Sequence, residues 1–335
     1  MKGIRLKAPG GLDHFHVVDL PDPGAPGPGC IRVRLHASSL NYHDYRVMSV
    51  PGSVADGRIP MSDGAGVVEA VGEGVTEFRA GDHVVSCFFP GWISGPPEVS
   101  DFLTVPGDGV DGYAREAVVV PAYCFTHVPR GWSHAEAATI TTAGLTAWRA
   151  LIVNGPLKAG DSVLVLGSGG VSIAALQLAR AMGAEVIATS SSEAKMNRLA
   201  ELGAAHVLNY REQPEWGKRV RELTGGRGVD HVIEVGGPGT LPQSIEAVRV
   251  GGHVSLIGVL TGFGGEVPTA HLMRKQARLH GLIVGSRNEQ KDYVRALEVT
   301  GIRPVIDIAF PLEKIAEAFR YEEAGKHFGK ICLAW

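Results

Sequence analysis

The chain has 335 residues, of which 44% are hydrophobic and 20% charged, and a formal net charge of −3. That length exceeds one ordinary core and predicts two domains. The composition excludes a disordered or fibrous chain, and the interspersed, near-neutral charge offers nothing to recruit nucleic acid or an anionic membrane surface. The four cysteines, Cys30, Cys87, Cys124 and Cys332, lie far apart with no C-x-x-C spacing, which argues against a disulfide framework or a thiolate zinc site.

The first 125 residues carry short β-type runs at 31–35, 66–71, 83–87 and 117–120, broken by Pro/Gly turns such as PDPGAPGPG at 21–29. They predict an irregular, mostly β domain. The N-terminal segment MKGIRLKAPGGLDHF has no apolar h-region, and no stretch approaches 18 continuous apolar residues, so a cytoplasmic location is expected. From Ser133 the pattern changes. Ser133 with Glu136 three residues on reads as a helix start.

Residues 162–195 then read SVLVLGSGGVSIAALQLARAMGAEVIATSSSEAK. An apolar strand meets Gly167, Gly169 and Gly170. A helix-period segment follows from Val171, and a second strand lies at 185–188. Glycines at that turn let a backbone approach a pyrophosphate, while the helix N-terminus offers free N–H groups to it. The third glycine position is Ser172. Helices at 193–202, 213–224 and 240–248 alternate with strands at 206–209, 229–234, 253–257 and 279–284. Six strands interleaved with helices predict a doubly wound parallel sheet. A tail of short helices and a last strand, 330–334, follows.

An acidic residue on the adenosine ribose favours NAD, and the second strand here ends in Thr189, Ser190, Ser191 and Ser192 with no carboxylate before Glu193. Ser190 and Ser191 hydroxyls with the Lys195 ammonium suit a 2′-phosphate, so NADPH is the expected cofactor.

From about residue 25 onward the chain resembles the medium-chain dehydrogenase/reductase superfamily. The resemblance rests on SLNYHDYRV (39–47), SDGAGVVEAVGEGVTEFRAGDHVV (62–85), TTAGLTAWRAL (141–151), the glycine-rich unit, GGHVSLIGVL (251–260) and HFGKICLAW (327–335). It implies an α/β protein with a GroES-like, mostly-β catalytic domain (1–127 and 285–335) and a Rossmann domain (128–284). The zinc enzymes of that family place a cysteine, a histidine and a second cysteine on the metal. Those positions fall here at Asn41, Ser62 and Thr142, with Asp63 in the place of a glutamate. Asn, Ser and Thr are poor zinc ligands, so no metal is expected; a metal would need His43, Asp44 and Asp63 to converge instead. The four-cysteine structural zinc lobe is also missing, since 87–112 contains only Cys87.

The zinc-free branch that the chain resembles comprises quinone oxidoreductases and enone reductases, which deliver a hydride to an activated C=C bond or to a quinone. Asn41 matches an asparagine beside the nicotinamide in that branch, with a turn-capping role as the plainer alternative. Tyr42, His43 and Tyr45 crowd the same loop as possible proton donors or carbonyl polarisers, or as packing. Phe88, Phe89 and Trp92, with Phe263, are candidate walls of an apolar substrate pocket. Thr142, Thr146, Tyr210 and Arg287 match cofactor-side positions, and Val171, Gly236 and Ile257 complete the expected cofactor set. The last strand of the sheet is expected to pair across a two-fold axis in a homodimer. Two rivals stand beside an NADPH-dependent enone or quinone reductase. One is a zinc-independent alcohol dehydrogenase or carbonyl reductase, and the other is a nucleotide-binding protein without turnover.

Overall fold

A computed structural model describes residues 1–99 and 101–335. In chain order its elements begin with β1 (Lys2–Leu6), β2 (Phe15–Asp19), β3 (Cys30–Ser39), α1 (Tyr42–Ser49), β4 (Ala65–Val71), β5 (His83–Ser86), β6 (Ala117–Pro121), β7 (Phe125–His127) and α2 (His134–Ala138). The helix–strand alternation follows: α3 (Leu145–Trp148), β8 (Ser162–Leu166), α4 (Gly170–Ala181), β9 (Glu185–Ser190), α5 (Glu193–Glu201), β10 (His206–Asn209), α6 (Trp216–Leu223), β11 (Val229–Glu234), α7 (Leu241–Ala247), β12 (Val248–Leu256), α8 (Thr269–Lys275) and β13 (Arg278–Gly281). The chain closes with α9 (Arg287–Thr300), β14 (Ile306–Pro311), α10 (Ile315–Glu323) and β15 (Lys330–Ala334).

Two units form. The first comprises Met1–Leu145 with Val284–Trp335, and the second Thr146–Ile283. In the first unit a sheet runs in the order β14-β15-β3-β4-β5-β7, with β6 also paired to β3, and β1-β2 form a separate ribbon. β3 alternates buried and less buried residues, as a strand with one covered face must. The second unit is a parallel sheet in the order β10-β9-β8-β11-β12-β13. Every residue of β8 and β11 is buried, because helices cover both faces of a doubly wound sheet. Its core gathers Leu164, Ile187, Val220, Val232, Ile245 and Val254.

Four expectations need correction. Residues 128–145 lie with the first unit, because α2 packs its buried Ala137 and Ala138 side against β3, β4, β5 and β15. The 42–49 segment is helix α1 rather than a loop. The tail holds a fourteen-residue helix, α9, opened by a capping box between Ser286 and Glu289 and closed by Gly301 at φ +68°. The last strand of the parallel sheet ends at Gly281, so Leu282 to Val284 fall outside it.

Candidate active site

The loop before α1, the β3 end and the turn before β4 bring a polar cluster into the interior of the first unit. Met61 adopts φ +80°, a left-handed conformation that costs a non-glycine residue about 1–3 kcal/mol. It delivers Ser62 onto Asp44. The Ser62 backbone N–H donates to Asp44 Oδ1 at 2.9 Å, and the Ser62 hydroxyl lies 3.2 Å from Asp44 Oδ2. Asp63 accepts from Ser39 Oγ at 2.6 Å, Asn41 Nδ2 at 2.9 Å and Thr142 Oγ1 at 2.6 Å. Asn41 Nδ2 also donates to Asp44 Oδ2 at 3.0 Å, and the Lys330 ammonium donates to Asn41 Oδ1 at 2.6 Å and to the Leu40 carbonyl. Ser62, Asp63 and Ser39 have no exposure, and Asp44, Asn41 and Lys330 have almost none. Burial raises the Asp63 carboxyl well above the usual carboxylate range; Lys330 opposes that shift and Asp44 adds to it. Glu322 of α10 lies in the same field, and burial pushes it up to about 8.

The expectation for Asn41 is thereby changed. Its amide joins two carboxylates to an ammonium rather than standing ready for a ligand, and it makes no side-chain cap of α1. Tyr42 and Tyr45 share one side of α1, and His43 projects to another. The Tyr45 hydroxyl donates to Glu323 at 2.6 Å on an exposed edge, and its ring lies 6.0 Å from that of Tyr42. His43 Nε2 lies 3.3 Å from Asp108, and its ring packs against Phe88 and Phe102. Helical spacing separates neighbours in sequence, which the loop reading could not anticipate.

Phe88, Phe89 and Trp92 do come together, joined by Phe102, with ring centroids 4.8 to 6.4 Å apart. Phe88, Phe89 and Trp92 are 5% exposed or less, so their faces are spent largely on one another. Phe263 lies in the second unit and is 75% exposed.

In the second unit the strand–turn–helix signal is realised. Gly167 sits at φ +72° between β8 and α4, and Gly169 is the N-cap of α4. No heavy atom lies within 4 Å of where a Cβ would stand at either glycine, which leaves the backbone open to a phosphate at the start of a twelve-residue helix. Gly170 and Val171 form its first turn. Ser172, at the third glycine position, is buried and donates to the Leu166 carbonyl at 2.6 Å, so the small hydroxyl is satisfied. At the ends of β9 and β10 the Tyr210 N–H donates to the Ser190 carbonyl at 3.1 Å, and Ser191 leads into α5, whose first turn carries Lys195. Ile257 follows β12, its N–H bonded to the Glu234 carbonyl at 2.8 Å. Thr146 is buried in α3. These residues fit a dinucleotide.

Residues 27–130 match the alcohol dehydrogenase GroES-like domain, and residues 170–299 match the zinc-binding dehydrogenase family. A zinc-type alcohol dehydrogenase-like protein of Schizosaccharomyces pombe is 39% identical over 334 residues, covering 96% of each chain. The chain belongs to the medium-chain dehydrogenase/reductase superfamily. It is an oxidoreductase of that type, in a nicotinamide-dependent family. The quinone oxidoreductase of Homo sapiens is 33% identical over 266 residues, covering 77% of this chain and 74% of that one. A crystal structure of an NAD-dependent alcohol dehydrogenase is 36% identical with a TM-score of 0.90, and each chain is covered in full.

The dehydrogenase family's zinc does not fit here. Asn41, Ser62 and Thr142 converge, but on the Asp63 carboxylate, and an ammonium already bonds Asn41. Amide and hydroxyl donors are weak zinc ligands, and among the described residues no group of three His, Cys, Asp or Glu is placed to hold a metal ion.

Two expected cofactor residues of this dehydrogenase have other tasks. Arg287 is 5% exposed in the first unit, where it donates to the Phe125 carbonyl at 2.8 and 3.1 Å and to Glu77 at 2.8 Å. Gly236 makes room for Thr240, whose Oγ1 would lie 2.2 Å from an added Cβ. The residue behind that turn was missed. Buried Glu234 accepts from the Gly236 and Gly237 N–H groups at 2.7 and 2.9 Å, from Thr240 Oγ1 at 2.6 Å and from Ser244. Lys330 was missed too, and a lysine inside the apolar G-K-I-C-L strand is the one signal that pointed to it. Asp44 was read only as a metal ligand with His43 and Asp63, and it bonds Ser62 and Asn41 instead.

Proposed function

We propose that this dehydrogenase/reductase is an NADPH-dependent, zinc-independent reductase of enones or quinones. The carrying observation is the hydrogen-bonded cluster of Asn41, Ser62, Asp63, Thr142 and Lys330 at the positions of the family's zinc site. An alcohol or ketone oxygen polarised by a Lewis acid needs a metal, whereas a conjugated C=C bond or a quinone is already electrophilic. Gly167, Gly169 and the α4 N-terminus hold the pyrophosphate in this reading, and Ser190, Ser191, Lys195 and Tyr210 surround the 2′-phosphate. Bound NADPH supplies the hydride. Thr146, Val171 and Ile257 flank the nicotinamide half in this reading.

The test is consumption of NADPH against a panel of quinones, enones and aldehydes, with elemental analysis of the purified protein. The expected result is turnover with enones or quinones, less than a tenth of a zinc per chain, and activity that survives a chelator. Near-stoichiometric zinc with loss of activity on chelation overturns the reading. Turnover of aldehydes alone transfers it to the carbonyl reductases. Tight NADPH binding with no turnover of any acceptor leaves a nucleotide-binding protein.

A further inference from the structure

We propose that Asp63 and Thr142 form a proton relay: Thr142 passes its hydroxyl proton to the reduced substrate and draws a replacement from Asp63. This inference rests on the enone or quinone reading above. It starts from the two oxygens of one carboxyl group. Asp63 Oδ2 receives Ser39 Oγ at 2.6 Å and Asn41 Nδ2 at 2.9 Å, and an amide N–H cannot reverse its role. Oδ1 faces hydroxyls only, Thr142 Oγ1 at 2.6 Å and Ser62 Oγ at 3.4 Å. Ser62 has another acceptor in Asp44 Oδ2, 3.2 Å away. A proton on Asp63 therefore belongs on Oδ1, pointing at Thr142 Oγ1. In that arrangement Thr142 no longer donates to Asp63, and its own proton is free to turn outward.

Exposure gives the relay its direction. Ser39, Ser62 and Asp63 are sealed, and Asp44 and Asn41 are 2% and 8% exposed. Thr142 is the partly exposed hydroxyl of the cluster, and so its exit. Burial and the Asp44 carboxylate on α1 favour a bound proton on Asp63, against the Lys330 ammonium of β15 and the Asn41 and Ser39 donors; Cys332 of β15 also faces it, and Glu322 of α10 shares the same field. One ammonium thus serves three carboxyl groups in a buried space, where a second and third negative charge are costly. The groups first expected to donate are turned elsewhere: Tyr45 to Glu323 and His43 to Asp108.

The step balances. The hydride forms a C–H bond at the β-carbon, the π pair of the C=C bond moves toward the carbonyl, and an enolate results. The Thr142 O–H bond breaks as its proton joins the α-carbon. The Asp63 O–H bond breaks as a new Thr142 O–H forms. Asp63 is left as a carboxylate held by Ser39 and Asn41, and it regains a proton from solvent through Thr142. With a quinone the proton goes to the reduced oxygen instead.

Two measurements test this. Thr142→Val is expected to lower kcat for an enone about 10²- to 10⁴-fold, the usual worth of a general acid. The melting temperature should stay close to that of the parent, and Thr142→Ser should recover kcat to within about tenfold. Infrared difference spectra between about pH 5 and pH 8, which need no turnover, should show a carboxylic-acid C=O band that Asp63→Asn removes and Thr142→Val shifts. A Thr142→Val enzyme with kcat within threefold of the parent overturns the relay, as does a spectrum without an Asp63-dependent band. Should the parent reduce neither enone nor quinone, the substrate reading fails on its own. The infrared arm then decides alone: a band that Thr142→Val shifts keeps the relay for another acceptor, and a band that ignores Thr142 ends it.

Discussion

Lys195 lies in the first turn of α5, three residues past the end of the Ser190–Ser192 run that extends from the end of β9 without a carboxylate. One charge-assisted bond to a phosphate contributes about 1.5–3 kcal/mol. Lys195→Ala is therefore expected to raise the KM for NADPH on the order of 10- to 100-fold and to leave NADH nearly unchanged. Steady-state kinetics with both cofactors check it, and equal use of NADH and NADPH by the parent contradicts the preference. Arg287 makes the opposite case. Its guanidinium clamps the Phe125 carbonyl and Glu77 inside the first unit, so Arg287→Leu leaves a buried carbonyl unpaired and is expected to cost about 1–3 kcal/mol of stability. Chemical denaturation should show that loss, while the Kd for NADPH stays within twofold. The two residues show what single positions disclose. A lysine after a glycine-rich unit can be singled out because the motif sets its spacing from the expected ligand. An arginine or the Asp63–Lys330 association, 267 residues apart in sequence, gets its role from tertiary packing, which no local pattern records.

Elements were legible where a period or a cap announced them. β10, β11 and β15 fall at the expected residues because each is a short run, apolar in half of its residues or more, that begins within three residues of a glycine, and α2 because Ser133 and Glu136 form the expected capping box. α9 carried the same signal in Ser286 and Glu289, with its buried residues Gln290, Tyr293, Val294 and Leu297 at helical spacing, but a glutamine and a tyrosine in that stripe obscured it. α1 had no apolar stripe to find. The N-terminus of α2 also carries a pH response. His134, its first residue, stacks on His36 of β3 and His83 of β5 with ring centroids 4.8 and 5.0 Å away, and its Nε2 lies 3.0 Å from His83 Nδ1. Burial first, then the two neighbouring imidazoles, lowers its pKa to about 4. A folded value below the unfolded 6.5 means that the unfolded chain binds the extra proton. The stability that neutral His134 supports is therefore whole above pH 6.5 and declines as pH falls toward 4. Unfolding midpoints across that window should drop, and His134→Gln should flatten the slope. An unchanged slope would show that the acid limb belongs to other groups.

At the scale of the whole molecule, the parallel sheet leaves β13 with one paired side and one open side. The Leu282 N–H donates to the Leu256 carbonyl at 3.0 Å, so alternation along the strand turns the N–H groups of Leu279 and Gly281 away from β12, with Ile283 next in that series. An open edge invites pairing with another chain. The observed strand is shorter and more polar than the 279–284 run suggested, since Arg278 and His280 are exposed and Ile283 lies beyond its end. That composition discourages indiscriminate pairing and still permits a symmetric one, in which β13 lies antiparallel to its own copy across a two-fold axis and joins two six-stranded sheets into one of twelve. The expected assembly is a homodimer, with a light-scattering mass twice the 35.4 kDa of the chain at micromolar concentration. A mass equal to one chain overturns it. Ile283→Pro is the sharper probe. Ile283 is 43% exposed, and the Arg149 side chain bonds its carbonyl at 3.1 Å, a contact that proline retains. Proline removes only the N–H and fixes φ. A variant that melts like the parent but runs as a monomer places the axis at this edge, and one that remains dimeric moves the interface to another surface.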